Sequence, residues 1–171
     1  MTRGITAGLL SALQAQVVRP VYLTRIQFVG SDLYLSSTRD NITWSAQTWL
    51  GNGLLRSSID GIHEQGDTEA TGCKIKLEGY DSALMSLLLT ALNRSRIVQV
   101  YLGALNASEA IIVDPQLVYS GTFDSVELGE NGEKAEAILF YENELVGLKR
   151  INEFRYTHES QQVYFPGDLC F

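Results

Sequence analysis

The period of apolar and polar positions changes several times along the chain, and each change marks an element. Leu9, Leu10, Leu13 and Val17 recur at helical spacing behind Thr6, whose hydroxyl suits an N-cap. A helix is therefore expected over Thr6–Val18, with Pro20 as its stop. Val21–Val29 is rich in β-branched and aromatic residues and predicts a strand. Gly30-Ser31-Asp32 turns it into a second strand over Leu33–Ser36. Ile42-Thr43-Trp44 and Thr48-Trp49-Leu50 predict two short strands around a Ser45-Ala46-Gln47 turn, closed by Gly51-Asn52-Gly53. A long hairpin follows, its first arm from Leu54 to Gln65 and its turn at Gly66-Asp67. In the second arm Cys73, Ile75 and Leu77 alternate with Lys74, Lys76 and Glu78, as in a half-buried antiparallel strand.

The period then returns to that of a helix. Asp81 suits the cap of a helix from Ser82 to about Asn93. Leu84, Leu87, Leu88 and Ala91 make one apolar stripe, and Met85, Leu89 and Leu92 make another. A surface helix of a lone domain needs only one. Either this helix is sandwiched inside its own fold, or one face meets another subunit. Beyond it the chain reads as strands again. Ile97–Leu102 should place Val98, Val100 and Leu102 inward, and Glu109–Val113 and Leu117–Leu128 should follow. Glu130-Asn131-Gly132-Glu133 is the strongest local signal in the chain, because Asn-Gly tolerates the positive φ angles of a type I′ turn. Ala135–Tyr141 is the expected return arm.

No repeat at a solenoid period is present, and no Pro-, Gly- or Ser-rich linker divides the chain. The expected architecture is one domain over residues 1–171. An N-terminal helix spans 1–19, a β-barrel spans 20–150 and carries the helix 81–93, and 151–171 forms a C-terminal docking segment. The class is mainly β (β+α): a β-barrel or sandwich with one or two packed helices and a long hairpin.

Composition narrows the function by exclusion. The 171 residues are 45% hydrophobic and 19% charged, enough apolar material for a core and too little charge for a disordered chain. A net charge of −7, from 13 basic and 20 acidic residues, argues against a protein that reads nucleic-acid sequence through a basic face. It is compatible with a channel wall past which DNA slides without sticking. No run approaches the length of a membrane-spanning helix. Gln14 and Gln16 follow the first residues too soon for a signal peptide, so a cytosolic product is expected.

Candidate chemistry is sparse. The two histidines, His63 and His158, lie in no nucleophile or zinc-protease motif. His158, Asp168 and Cys170 are plausible ligand types, but their spacing matches no zinc pattern. Cys73 and Cys170 form no CxxC pair, and two reduced thiols are the simplest reading. Gly51-Asn52-Gly53 and Gly129–Gly132 read as turns, not phosphate cradles. Asp124, Glu127, Glu130, Glu133 and Glu136 flank a hairpin tip and read as a solvated face. Trp44, Trp49 and Tyr34 could stack on sugar or base rings, with hairpin packing the simpler role. No enzyme activity and no cofactor are expected.

The last segment carries the most specific pattern. Arg155-Tyr156-Thr157-His158-Glu159-Ser160-Gln161, continuing through Gln162-Val163-Tyr164-Phe165 to Pro166-Gly167-Asp168, resembles a segment of the hub proteins of long-tailed (siphovirus-type) phages. That family is related to the hub proteins of gene transfer agents. Lys76-Leu77-Glu78-Gly79-Tyr80-Asp81-Ser82-Ala83-Leu84 resembles the family's strand-then-helix unit, and Val100-Tyr101-Leu102-Gly103-Ala104-Leu105 its following strand. Ile42-Thr43-Trp44 and Thr48-Trp49 resemble a hairpin of tail-tube-like domains. The resemblance runs from about Val21 onward. It implies a tail-tube-like β-barrel in the baseplate hub at the tail tip of a virion. It also implies a homo-oligomeric ring, a trimer ahead of a hexamer, between a distal tail protein and a central fibre protein. The tape measure protein or DNA would pass through the lumen, and this chain would insert in no membrane. Leu169-Cys170 departs from the family's usual basic-Gly pair. Some lambda-type relatives carry an iron–sulfur site, which needs four ligands; with two cysteines in this sequence that feature is not carried over.

The residues expected to meet another subunit or partner are Met85, Leu89 and Leu92 of the second apolar stripe and Tyr156, Tyr164 and Phe165 of the last segment. The three aromatics should dock on a neighbouring ring protein or on the chain's own barrel. Two other readings compete with a structural hub. One is a carbohydrate-binding β-sandwich that recognises a host surface through Trp44 and Trp49; the other is a small tail-associated hydrolase.

Overall fold

The computed structural model describes residues 4–51, 58–60, 72–78, 82–90, 96–106, 108, 110, 115–131, 134–143, 162 and 165–167. Helix α1 (Ala7–Leu13) begins where Thr6 caps it, the hydroxyl accepting from the Leu9 N–H at 3.3 Å. It ends five residues before the expected boundary at Val18, and of its apolar positions only Leu9 is buried. Leu10 and Val17 are exposed, so nothing holds the segment after Leu13 in a helix.

Strands β1 (Pro20–Gln27) and β2 (Asp32–Ser36) form the first hairpin, β3 (Ile42–Trp44) and β4 (Gln47–Trp49) the second. After them come β5 (Ser58–Asp60), β6 (Cys73–Glu78), helix α2 (Ser82–Thr90), β7 (Ile97–Ala104), β8 (Gln116–Asn131) and β9 (Lys134–Asn143). Seven strands make one sheet in the order β2-β1-β7-β8-β9-β6-β5, with every pairing antiparallel. The pair β3-β4 makes a small second sheet. Among the described residues the fold is mainly β, with helices α1 and α2, as the hydrophobic pattern predicts.

Alternation along β1 explains how the layers stack. Thr24, Ile26 and the following Phe28 point to one face, where they join Leu35, Val98, Val100, Tyr119, Ile75, Leu77, Leu139 and Tyr141 in the main core. Leu84 and Leu88 of α2 close that core. Val21 and Leu23 point to the opposite face and are covered by Ile42 and Trp49 of the small hairpin. The central part of β1 is thus buried on both sides. Each such side chain removed from water contributes about 1.5–3 kcal/mol, so the two-layer contact fixes the position of both α2 and the β3-β4 hairpin.

Two bulges bend β8. Opposite Val100 and Tyr101 the register passes from Tyr119 to Leu117, leaving Val118 unmatched. Opposite Tyr141 and Phe140 it passes from Phe123 to Ser125, leaving Asp124 unmatched. Each extra residue switches the face that the next position presents. Tyr119 and Phe123 therefore face the core from odd positions, while Val126 and Leu128 pack against it from even ones. Tyr119 reaches across Gly121 and donates its hydroxyl proton to the Tyr141 carbonyl at 3.3 Å.

Other details differ from expectation. Leu102 shares the face of Val98 and Val100 but is only half-buried, because it pairs with exposed Tyr22 near the end of the strand. Asn131 pairs with Lys134, so Asn131 belongs to β8 rather than to the turn, and positions 132–133 lie outside the described residues. The arm of the long hairpin pairs as expected where it is described, Ile59 opposite Ile75. Its turn at Gly66-Asp67, the cap residue Asp81 and most of the expected strand Glu109–Val113 lie outside the described residues.

Candidate subunit interface

Helix α2 presents two different surfaces. Leu84 and Leu88, one turn apart, plug the main core. Leu89 is rotated away from them and stands 60% exposed. Of the other residues of that stripe, the Met85 side chain and Leu92 lie outside the described residues. In the last segment Phe165 is 66% exposed beside the Pro166-Gly167 turn. Gly167 adopts the left-handed φ of +90° that glycine tolerates, and its N–H donates to Gln162 Oε1 at 2.9 Å. Tyr156 and Tyr164 lie outside the described residues. Leu89 and Phe165 are thus the two expected contact residues whose side chains are described, and both stand free of the core.

The aromatic cluster of the small hairpin turns inward. Trp49 is 2% exposed and packs edge-on to Tyr34 at 5.0 Å and against Trp44 at 5.5 Å, while Trp44 packs on Tyr101 at 5.2 Å. The indole N–H of Trp49 donates to the Trp44 carbonyl at 3.1 Å across the turn. A ring so enclosed cannot stack on a sugar, which removes Trp49 from the carbohydrate-binding reading.

Beside this cluster lies a polar network. Asp32 accepts from Arg25 Nε at 2.8 Å and from Nη2 at 2.6 Å, and from the Tyr34 hydroxyl at 3.4 Å. Arg25 Nη1 and the Tyr101 hydroxyl both donate to Gln99 Oε1 at 3.1 Å. The hydrogen bond to Asp32 raises the Arg25 pKa against the opposing effect of burial. The network ties β1, β2 and β7 together under the hairpin. Its five side chains are bonded to one another, as in a structural brace.

Chemistry suited to catalysis is scarce among the described residues. They contain no group of three or more His, Cys, Asp or Glu placed to hold a metal ion. Cys73 is a free, buried thiol, and burial pushes its pKa up to about 12, so it is not available as a thiolate at neutral pH. His63, His158, Asp168 and Cys170 lie outside the described residues. No helix among the described residues is long and apolar enough to cross a membrane.

The fold and this surface define a mainly antiparallel β protein whose helix α2 turns Leu89 outward. The same fold occurs in a chain from the virion of a native gene transfer agent particle, with a TM-score of 0.64 at 12% identity. That alignment covers 88% of this chain and 49% of the other, so this chain spans about half the length of its structural relative. A Francisella PdpA–VgrG complex in its lidded form aligns at a TM-score of 0.36 and 10% identity, over 82% of this chain and 18% of that one. No protein-family model matches the sequence, and no curated protein matches it.

Proposed function

We propose that this chain is a non-enzymatic structural subunit of a phage-type tail tip, the baseplate hub, working as a homo-oligomeric ring around the tail channel. The observation that carries the reading is the fold shared with a gene transfer agent virion chain over 88% of this sequence. The C-terminal resemblance to hub proteins, carried by Arg155-Tyr156-Thr157 and Pro166-Gly167-Asp168, points the same way. In this reading the sheet forms part of a channel wall around the tape measure protein or DNA, and the net charge of −7 keeps that wall from holding DNA. Leu89 and Met85, with Leu92, meet the next copy, three to a ring ahead of six. Tyr156, Tyr164 and Phe165 dock on a neighbour, either the distal tail protein or the central fibre protein. Ring closure hides the Leu89 side chain that one copy leaves in water.

Quantitative proteomics of gradient-purified tails tests this. The chain is expected in the tail fraction at a fixed ratio to the other tip proteins, in a copy number divisible by three. Recovery only from the soluble fraction, with none in tails, contradicts the reading.

A further inference from the structure

An open depression of about 550 Å³ lies between the β1-β2 turn and the small hairpin. Gln27, Ser31, Asp32, Tyr34, Gln47 and Arg96 contribute to its lining. Arg96 is held at the start of β7 through its backbone, its carbonyl accepting from the Phe123 N–H at 2.8 Å. Its Nε is buried and has no hydrogen-bond partner. A buried donor on a permanent cation is costly to leave unmatched. Asp32, the carboxylate in the same depression, makes no hydrogen bond to it; its Oδ2 accepts two short bonds from Arg25 instead. The depression therefore holds an arginine whose Nε lacks an acceptor, in a lining that also carries two amides and two hydroxyls.

The missing group is an acceptor, and the geometry favours a carboxylate, which matches the donor fork of arginine. The shape favours one that arrives on a protein. Small-molecule sites are concave, largely apolar and enclose most of the ligand, whereas this depression is open and lined mainly by polar side chains. A second copy of this chain brings such groups in surplus, with 20 acidic residues against 13 basic. We propose that Arg96 is the socket for an Asp or Glu side chain of an adjoining copy, seated among Gln27, Ser31 and Gln47. This rests on the ring reading above and adds to it a polar contact that sets the register of one copy against the next. An acidic side chain in this socket excludes neighbours that present a basic or apolar residue there.

Substitution Arg96→Lys places a primary amine in the socket, which a water-soluble carbodiimide couples to any adjacent carboxylate. Full-length protein is prepared unlabelled and heavy-nitrogen-labelled, mixed in equal parts, coupled and mapped by peptide mass spectrometry. Exposed Arg39→Lys serves as the surface control. The proposal predicts amide links from position 96 to an acidic residue of the other copy, at several times the yield seen from position 39. Links confined to one copy, or no excess over the control, overturn it. Glucuronate that suppresses coupling at position 96 in protein that does not self-associate assigns the depression to a free acid and also overturns it. Sedimentation of the uncoupled wild-type protein is run alongside. Oligomers without the link mean that the socket is wrong while the ring reading stands; absence of both removes the two together.

Discussion

Leu88 and Leu89 are adjacent in helix α2 and meet opposite surroundings: Leu88 is 1% exposed within the main core, and Leu89 is 60% exposed on the outer side. One helical step of about 100° separates them, so the same substitution should have two different consequences. Leu88→Ala removes packed core atoms and should cost about 2–5 kcal/mol of stability. Leu89→Asp removes none: self-association should be lost, and the melting temperature should match that of wild type diluted to the dissociated chain. Thermal unfolding and light scattering on the two variants separate the roles.

The small hairpin should be a strong contributor to stability and no contributor to sugar binding. Trp49 is enclosed by Tyr34, Trp44 and Tyr101 and bonded to the Trp44 carbonyl. Trp49→Ala should cost about 3–5 kcal/mol in denaturant unfolding, as large aromatic truncations do. A loss below about 1 kcal/mol would mean that the hairpin does not cover Val21 and Leu23 in solution.

Ser45 and Ala46 form the two-residue loop of that hairpin with φ angles of 53° and 60°. This is the left-handed conformation that a two-residue hairpin favours and an alanine Cβ resists. Ala46→Gly should raise stability by about 1 kcal/mol, less the added freedom of the unfolded chain. The sign is checked by the shift in denaturant midpoint at unchanged slope.

Alkaline pH should unfold the protein early. Burial pushes the Cys73 thiol from its ordinary 9.0 up to about 12, and burial also raises the Tyr119 and Tyr141 hydroxyls above their usual range. Above pH 9 for the thiol, and above pH 10 for the tyrosines, the unfolded chain releases these protons while the folded chain retains them. Folding then binds more protons than unfolding, so stability is full below pH 9 and falls progressively as pH rises toward 12. Cys73→Ala should make the decline between pH 9 and 10 shallower. An equal slope in wild type and variant would remove Cys73 as a cause.

The local parts of this fold were legible in the sequence because local chemistry decides them. Thr6 caps a helix, Trp44 and Trp49 flank a tight turn, and the alternation of Cys73, Ile75 and Leu77 puts all three in the core. The non-local parts were not. Nothing in the order of residues says that β1 lies between β2 and β7, since that depends on packing partners about 75 residues apart, such as Leu23 opposite Tyr101. The bulges at Val118 and Asp124 also escaped, because each leaves the hydrophobic pattern readable and only shifts its phase. The helix after Leu13 was overestimated because Val17 fits the spacing yet finds no surface to cover it. At the candidate interface, the doubled stripe of α2 pointed to Leu89, whereas Arg96 gave no signal. An arginine before a strand is ordinary until the fold surrounds its Nε.

The most direct measurement is an image reconstruction of purified tails with no symmetry imposed. A closed ring of three or six copies is expected at the tip, with Leu89 of each copy covered by its neighbour. A map in which the chain is absent, or sits as a single copy with Leu89 facing solvent, contradicts it.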